Sequence, residues 1–289
     1  MAFDQEVGTA NLRATFYDKV VKGFAVASYK FKQAVTISPT SAWKNFFFRE
    51  SPDALTAQTG NAVKGIPRGA EFPQASVTWE RVQSVITKYG LEDNIPYEDL
   101  ISNEIDVRDR TLMRIAEGVT KAVDDEIWDV LTESQSPSAI QHITIAETKH
   151  WNGSSGAIID NLLNARQLIA EKNYDTSNLM AFVSPLDYRS IMNYVAEKGA
   201  QFPNFGNQVA ENGQAGKLAG IQLVVSNSVT ASFALVVAPK ICGTWKELVP
   251  LQTTTKDDPY KSLTIRAVEM GVTQLTDPSA VVLIEGTQD

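Results

Sequence analysis

The 289-residue sequence has very little cysteine and contains no long apolar run. Its one cysteine, Cys242, cannot form a disulfide within the chain, so nothing requires an oxidising compartment. No apolar run approaches the roughly 20 residues that a membrane-spanning helix needs. The first residues also lack the basic and then apolar pattern of a secretory signal. We therefore expect neither a membrane segment nor a disulfide framework.

Positive charge is also scarce, since 26 Lys and Arg residues stand against 34 Asp and Glu, for a formal net charge of −8. Proteins that grip duplex nucleic acid do so mainly with Lys and Arg on the phosphates, so this balance argues against such binding. It does not exclude a protein that encloses nucleic acid without adhering to it. The 43% hydrophobic and 21% charged content is that of an ordinary globular protein.

Motifs for nucleotide binding and catalysis are missing as well. Gly216-Lys217 resembles part of a phosphate-binding loop, but Glu211 and Leu218 stand where that loop requires a glycine and a hydroxyl. The segment also precedes a predicted strand, whereas a phosphate site needs the start of a helix. We therefore interpret it as a structural turn.

Metal ligands and nucleophiles are equally sparse. Glu147 and His150 form a single E-x-x-H, whereas a di-iron helical bundle needs two. His142 and His150 are interpreted as surface or interface residues, and Cys242 as a small buried hydrophobe. The sequence predicts no catalytic residue, no cofactor and no metal site, and hence no enzyme.

Hydrophobic periodicity indicates a mixture of helices and strands. Helices are predicted over residues 9–32, 106–133, 157–172 and 185–198. Strands are predicted over 43–49, 77–89, 179–183, 220–226, 233–238, 262–274 and 280–285, with a further short strand after residue 140. Ser184 and Asp187 predict a capped start for the last helix. Because helices and strands do not alternate regularly, the fold class is α+β.

Residues 50–75 interrupt this pattern with three glycines, three prolines and almost no periodicity. Strand-like segments precede and follow them, which predicts a long hairpin whose tip leaves the body of the protein. Such an arm buries little of its own surface, so it must be disordered or lie on a neighbouring molecule.

Charged side chains on the hairpin and on the 106–133 helix are candidates for contacts with that neighbour. The carboxylates of residues 124–129 could do acid–base chemistry or bind cations, but their helical spacing spreads them around a solvated face. A third interpretation, between a chemical site and a purely solvated face, is that these carboxylates form salt bridges to a partner subunit. The candidate inter-subunit contacts are Arg49, Lys64, Arg68, Glu71, Asp124, Asp125 and Asp129.

The order of the predicted elements resembles the major capsid protein of tailed bacteriophages, the Hong Kong 97 type. Residues 178–199 (NLMAFVSPLDYRSIMNYVAEKG) and 216–229 (GKLAGIQLVVSNSV) look like segments of that family's axial domain. Residues 68–100 look like its extended loop returning into the spine helix, and residues 266–286 are similar to its closing strands.

The resemblance implies a division of the chain. Residues 1–40 would be an N-terminal arm and residues 41–90 the extended loop hairpin. A peripheral domain containing the long spine helix would comprise 91–150 and 246–275, and an axial domain 151–245 and 276–289. Gly216 and Gly220 would then serve backbone geometry, since glycine reaches positive φ without steric cost.

The resemblance also implies a function. The chain would self-assemble through pentamers and hexamers into an icosahedral shell that encloses a double-stranded DNA genome without sequence-specific binding. It would be part of the virion, assembled in the host cytoplasm with a separate scaffolding protein, a portal and a decoration protein. Lys64 has no recognisable asparagine partner, so no covalent linkage between subunits is expected.

Two alternatives remain at this point. An encapsulin-like nanocompartment shares the fold and encloses a cargo enzyme, and an oligomeric α+β enzyme would carry a site that the sequence does not reveal.

Overall fold

The computed structural model describes residues 21, 29–50, 67–69, 79–102, 107–135, 138–153, 157–197 and 216–289. The strands are β1 (Thr36–Pro39), β2 (Lys44–Glu50), β3 (Trp79–Val85), β4 (Thr87–Pro96), β5 (Gln141–Thr144), β6 (Met180–Val183), β7 (Lys217–Leu218), β8 (Ile221–Val225), β9 (Phe233–Val237), β10 (Gly243–Asp258), β11 (Ser262–Leu275) and β12 (Val281–Glu285). The helices are α1 (Tyr97–Ser102), α2 (Val107–Leu131), α3 (Ile158–Glu171) and α4 (Pro185–Glu197).

A six-stranded sheet has the order β5-β12-β9-β6-β8-β7, with β6 parallel to β8 and antiparallel to β9. Every residue of β6 is buried, which explains why its sequence is a continuous apolar run and not an alternating one. Helix α3 packs against β12, β5 and β9. The strands predicted over 179–183, 220–226, 233–238 and 280–285 are confirmed here, as is the mixture of helices and strands.

A second sheet has four strands in the order β1-β10-β11-β4, and α2 packs against β11 and β4. The apolar positions of α2 recur every three or four residues, and those on this face are buried. They include Leu112, Ile115, Val119, Val123, Ile127 and Leu131. The long helix predicted over residues 106–133 is therefore confirmed over Val107–Leu131.

Phe31 joins the two sheets. Its ring stacks on Phe182 of β6 at a centroid distance of 4.1 Å and meets Trp128 of α2 edge-on at 5.6 Å. All three rings are almost completely buried. One aromatic residue of the N-terminal segment thus contacts both the six-stranded sheet and the long helix that covers the other sheet.

The helix predicted over residues 9–32 ends differently in the structure. Residues Phe31–Gln33 form a short 3-10 helix, and Lys30 precedes it at a bend. Val21 is helical and buried, but the remainder of the predicted helix lies outside the described residues. The tight turn at residues 30–33 arises because Asp124 accepts hydrogen bonds from three successive backbone N–H groups there.

The strand predicted over residues 77–89 is two strands in different sheets. Residues of β3 pair with β2 in a two-stranded hairpin, whereas β4 pairs with β11 in the four-stranded sheet. The chain changes partner at Ile86, whose side chain is buried and whose backbone N–H donates to the carbonyl of Trp43. Both strands are rich in β-forming residues, so the sequence pattern does not show the break.

The sequence prediction missed β10, which is the longest strand in the described ranges. Pro250 and the polar run that follows it argue against a strand. The structure accommodates this proline because the register between β10 and β11 shifts on both sides of Val249, as at a β-bulge. Strand β1 pairs only with Thr244–Glu247, so no described strand requires a backbone donor from Pro250 on that edge.

Ala219 and Gly220 form the two-residue turn between β7 and β8, with φ values of 53° and 81°. Positive φ at both positions is the signature of a type I′ hairpin turn. The Arg166 guanidinium donates to the carbonyl oxygen of Ala219 at 3.2 Å and lies directly over Gly220. The prediction of a special backbone conformation is confirmed for Gly220 and is wrong for Gly216, whose φ is not in the left-handed region.

The predicted cap of α4 is confirmed. The backbone N–H of Asp187 donates to Ser184 Oγ at 3.1 Å, and Ser184 Oγ donates to Asp187 Oδ2 at 2.7 Å. Gln288, near the end of the chain, donates to the other carboxylate oxygen of Asp187 at 2.5 Å. Ser184 thus fixes both the start of α4 and a buried carboxylate.

We expect Ser184→Ala to lower the free energy of unfolding by about 1 kcal/mol, because an N-terminal donor of α4 loses its acceptor. The measurement is thermal or denaturant unfolding of the subunit. Asn193→Ala, at an exposed position of the same helix, is the matched control and should change stability by no more than about 0.5 kcal/mol. Equal stabilities for the two variants would contradict the role of the cap.

None of the helices in the described ranges is both long enough and apolar enough to cross a membrane.

Candidate inter-subunit surface

The β2–β3 hairpin carries a row of large apolar side chains that the subunit does not cover. Phe46 and Phe48 are 53% and 59% exposed, and Val85, opposite Lys44, is 43% exposed. Alternation along β2 places Phe46 and Phe48 on the same face of the hairpin. Trp43, just before the strand, is 51% exposed. We call Phe46, Phe48 and Val85 the hairpin face.

A cation borders the hairpin face. Arg81 stands opposite Phe48 across the hairpin, and its guanidinium carbon lies 4.1 Å from the centre of the Phe46 ring. Such stacking orders the arginine and the ring while leaving the aromatic edge and the charge open to solvent. An apolar patch bordered by polar groups is typical of a protein–protein contact.

The opposite face of the hairpin contacts the body of the subunit through Arg49. Its guanidinium contacts Glu80 across the hairpin at 2.6 Å and Glu133, just after α2, at 3.4 Å. Near the hairpin base, Gln274 of β11 donates to Ser84 Oγ at 2.6 Å. Arg49 was predicted to contact another subunit, and in the described residues it is engaged within its own chain.

The other predicted contact residues have different surroundings where the structure describes them. Lys64 and Glu71 lie outside the described residues, and Arg68 is exposed in a turn at 67–69. Asp125 is half-buried and Asp129 is exposed on α2. Partial burial, followed by the charge of Asp125, raises the pKa of Asp129. For the five of the seven residues that the structure describes, no contact of one with another is seen except the electrostatic effect of Asp125 on its neighbours on α2.

Asp124 is only 3% exposed, so the prediction that this carboxylate lies on a solvated face is wrong. It accepts hydrogen bonds from the backbone N–H groups of Lys30, Phe31 and Lys32 at 2.7, 3.2 and 3.4 Å. Burial raises the pKa of Asp124 to about 6, while those N–H groups act in the opposite direction. The residue fastens the N-terminal segment to α2.

A buried charged cluster below this segment was missed by sequence reasoning. Lys32 Nζ lies 2.6 Å from Glu269 Oε1 and 3.2 Å from Glu247 Oε1, and the Tyr29 hydroxyl donates to Glu269 Oε2. Burial raises the pKa of Tyr29, and the Glu269 carboxylate raises it further, so the hydroxyl remains a donor. No local pattern indicates the cluster, because Tyr29 and Lys32 lie more than 200 residues before Glu247 and Glu269.

Cys242, His142 and His150 are the residues that the sequence offered as a nucleophile or as metal ligands. Cys242 is fully buried, and burial raises the pKa of its thiol to about 12, which removes it as a nucleophile at neutral pH. His150 Nδ1 lies 2.5 Å from the carbonyl oxygen of Gly286, and His142 is exposed. Within the described ranges, no three His, Cys, Asp or Glu side chains are placed to hold a metal ion.

Comparison with protein families gives one match, to a family described as phage capsid protein, over residues 79–284. That range includes β3 to β11, the four helices and most of β12. No curated protein matches the chain in sequence.

Solved structures share the fold at low sequence identity. A capsid structure of Cyanophage P-SCSP1u is 14% identical, with a TM-score of 0.66 over 89% of this chain and 88% of that one. A structure from Mycobacterium phage Che8 is 13% identical, with a TM-score of 0.66 over 90% and 92% of the two chains. A virus-like particle from Pyrococcus furiosus is 10% identical, with a TM-score of 0.64 over 94% and 99%.

Proposed function

This chain belongs to the phage capsid protein family, and we propose that it is a major capsid protein that self-assembles through pentamers and hexamers into a closed icosahedral shell. The shell encloses a double-stranded DNA genome. Membership in a capsid family assigns the chain a structural role, so the alternative of an oligomeric enzyme is dropped.

The hairpin face carries this proposal. Three large apolar side chains, each more than 40% exposed, lie together on an arm that contacts the body through its other face. Burying a phenylalanine side chain contributes roughly 1.5–3 kcal/mol, so covering this face with another molecule would be strongly favourable. A second copy of the chain is the natural partner, because a shell repeats the same contact at every subunit.

The remaining parts of the chain take the following roles in this proposal. The β2–β3 hairpin is the base of an extended loop spanning 41–90, and α2 is the spine helix of a peripheral domain formed by 91–150 and 246–275. Residues 151–245 and 276–289 form the axial domain, and residues 1–40 the N-terminal arm. Support comes from the 25-residue length of α2 and from the separate six-stranded sheet, which is built largely from the proposed axial segments.

Charged residues contribute at the rim of the subunit contacts. Arg68 and Asp129 are exposed and available for ion pairs, while Lys64 and Glu71 are proposed on sequence grounds. Each exposed pair contributes at most about 1 kcal/mol, so the apolar hairpin face provides most of the association energy.

The proposed contents of the shell are consistent with the net charge of the chain, and its proposed partners with the closed form of the shell. A net charge of −8 suits a wall that contains DNA without binding it strongly or reading its sequence. We propose assembly in the host cytoplasm on a separate scaffolding protein, followed by incorporation into the virion together with a portal and a decoration protein.

A second candidate is a compartment that encloses a cargo enzyme. This second function is retained because the chain is similar over 94% of its length to a virus-like particle from P. furiosus. The contents of purified particles distinguish the two functions, because a genome container holds nucleic acid and a cargo compartment holds protein.

We expect Phe46→Ser/Phe48→Ser to reduce the yield of closed particles about ten-fold or more, since a loss of only about 1.4 kcal/mol per contact has that effect on association. The measurement is electron microscopy of assembly mixtures at equal subunit concentration. Thermal unfolding should stay near wild type, because both rings are already exposed in the subunit.

Leu163→Ser is the matched control, because Leu163 is an exposed apolar residue on α3, outside the hairpin. It should assemble better than the double variant. Normal particles from Phe46→Ser/Phe48→Ser would show that the hairpin face is not an assembly surface.

A further inference from the structure

Ser84 and Arg49 connect the β2–β3 hairpin to the body of the subunit at different distances from its base. Its strands are paired from Lys44↔Val85 at the base to Glu50↔Trp79 at the far end of the described part. The Ser84–Gln274 hydrogen bond lies at the base. Arg49 lies five residues beyond Lys44, which corresponds to roughly 16 Å along a strand. A contact at that distance controls the angle of the hairpin far more than a contact at the base does.

The Arg49 guanidinium bridges the hairpin and the body. Its Nη2 and Nε atoms donate to Glu80 Oε2 at 2.6 and 3.1 Å, on the opposite strand of the hairpin. Its Nη1 atom donates to Glu133 Oε1 at 3.4 Å, just beyond the end of α2. The planar fork of an arginine can hold two carboxylates in fixed directions, which a lysine cannot do.

Glu133 is itself held in place, so it can serve as an anchor. Its Oε2 atom accepts from the backbone N–H groups of Ser138 and Ala139 at 2.6 and 2.9 Å. Burial acts to raise the pKa of Glu133, but these donors and the Arg49 charge outweigh it and lower the pKa. The carboxylate therefore stays ionised and fixed to the junction between α2 and β5.

The Arg49–Glu133 contact is also shielded from solvent. The Arg49 and Glu133 side chains are only 20% and 18% exposed, whereas Glu80 is 62% exposed. Water and salt screen the contact to Glu133 less than they screen an ordinary surface pair. Of the two partners of Arg49, Glu133 is the one that can constrain the hairpin.

We infer that Arg49 is a positioning residue that tethers the hairpin to Glu133 and so sets the direction in which the hairpin face meets a neighbouring subunit. This inference rests on the proposed function for its role in assembly. It replaces the sequence interpretation of Arg49 as a residue that itself pairs with another subunit. Because both partners belong to the same chain, the hairpin is oriented before assembly begins.

The test measures the hairpin angle in full-length unassembled subunits. Spin labels at Gln83→Cys on the hairpin and Lys121→Cys on α2 report the distance between the two elements. Both positions are exposed, and the native Cys242 is fully buried with a raised thiol pKa, so it does not take the label. Arg49→Met and Glu133→Gln are each introduced into this labelled background. Glu80→Gln is the matched control, because it removes the partner of Arg49 within the hairpin and leaves the tether intact.

The expected result is one narrow distance distribution for the parent and for Glu80→Gln. Arg49→Met and Glu133→Gln should each give a broad distribution, and combining them should broaden it no further, because both act through one contact. Their particle yield should fall several-fold at unchanged melting temperature. Parent-like distributions in both single variants would overturn the tether. Failure of the wild type to form particles would instead refute the proposed function, since the distance measurement does not depend on assembly.

Discussion

Replacing Lys32 with methionine is expected to lower the free energy of unfolding by about 3–5 kcal/mol at neutral pH, because it leaves a buried carboxylate without its cation. Lys32 Nζ lies 2.6 Å from Glu269 and 3.2 Å from Glu247, and Glu269 is completely buried. The Tyr29 hydroxyl would remain as a donor to Glu269, but a neutral donor cannot compensate a full charge in that environment. Methionine keeps most of the volume of the side chain, so the loss reflects charge more than packing.

Two comparisons isolate that effect in denaturant unfolding. Lys261→Met removes a surface cation that is 76% exposed and pairs with Asp258, and it should cost at most about 1 kcal/mol. Lys32→Met/Glu269→Gln removes both charges of the buried pair and should recover part of the stability lost by Lys32→Met alone. A Lys32→Met subunit as stable as Lys261→Met would mean that the buried pair does not hold the N-terminal segment.

Gly271→Ala is expected to cost about 3 kcal/mol, at the upper end of the range for overpacking, because the new methyl group has no space. A Cβ atom at residue 271 would lie 2.3 Å from Trp245 Cζ2 and 2.9 Å from the carbonyl oxygen of Lys246. Trp245 is fully buried and cannot move away without disturbing the core. The measurement is again the free energy of unfolding of the subunit.

Two further variants separate the clash from a general effect of losing a glycine. Gly216→Ala meets nothing within 4 Å at an ordinary φ, so its stability should stay within about 0.5 kcal/mol of wild type. Trp245→Phe removes the part of the indole that the new Cβ would contact. It should therefore lower the free energy of unfolding less in the Gly271→Ala background than in the wild type. Additive effects of the two substitutions would contradict the proposed contact.

Most elements of the six-stranded sheet could be predicted because their signals are local. Strands β6, β8, β9 and β12 are short, largely apolar runs bounded by turn residues, and Ser184 with Asp187 marks the start of α4 through contacts three residues apart. The period of α2 likewise reports one buried face over 25 residues. In these segments the hydrophobic pattern matches the burial that the fold imposes, so the pattern alone predicts the element.

Strand β10 could not be predicted because its environment overrides its local pattern. Pro250 is tolerated only where the ladder is already irregular and the outer edge of β10 lacks a described partner. Neither condition can be seen from residues 243–258 alone. The division at Ile86 has the same origin, because the partners of β3 and β4 are distant in sequence.

The candidate assembly surface was predicted as a hairpin but not as a set of side chains. Three consecutive phenylalanines, 46–48, give no alternation from which to decide the exposed face. Arg49 and Asp124 were interpreted as outward charges because charges usually are exposed. Their partners, Glu133 and the backbone of residues 30–32, are brought near only by the fold.

Electron microscopy of the purified wild-type protein, with its mass determined by light scattering, tests the central claim most directly. The account predicts closed particles of uniform size and megadalton mass built from the 31.7 kDa chain. Denaturing gels of the boiled particles should show a single band at the chain mass, because no covalent linkage is expected. A protein that remains a monomer or dimer under every assembly condition tried would contradict the account.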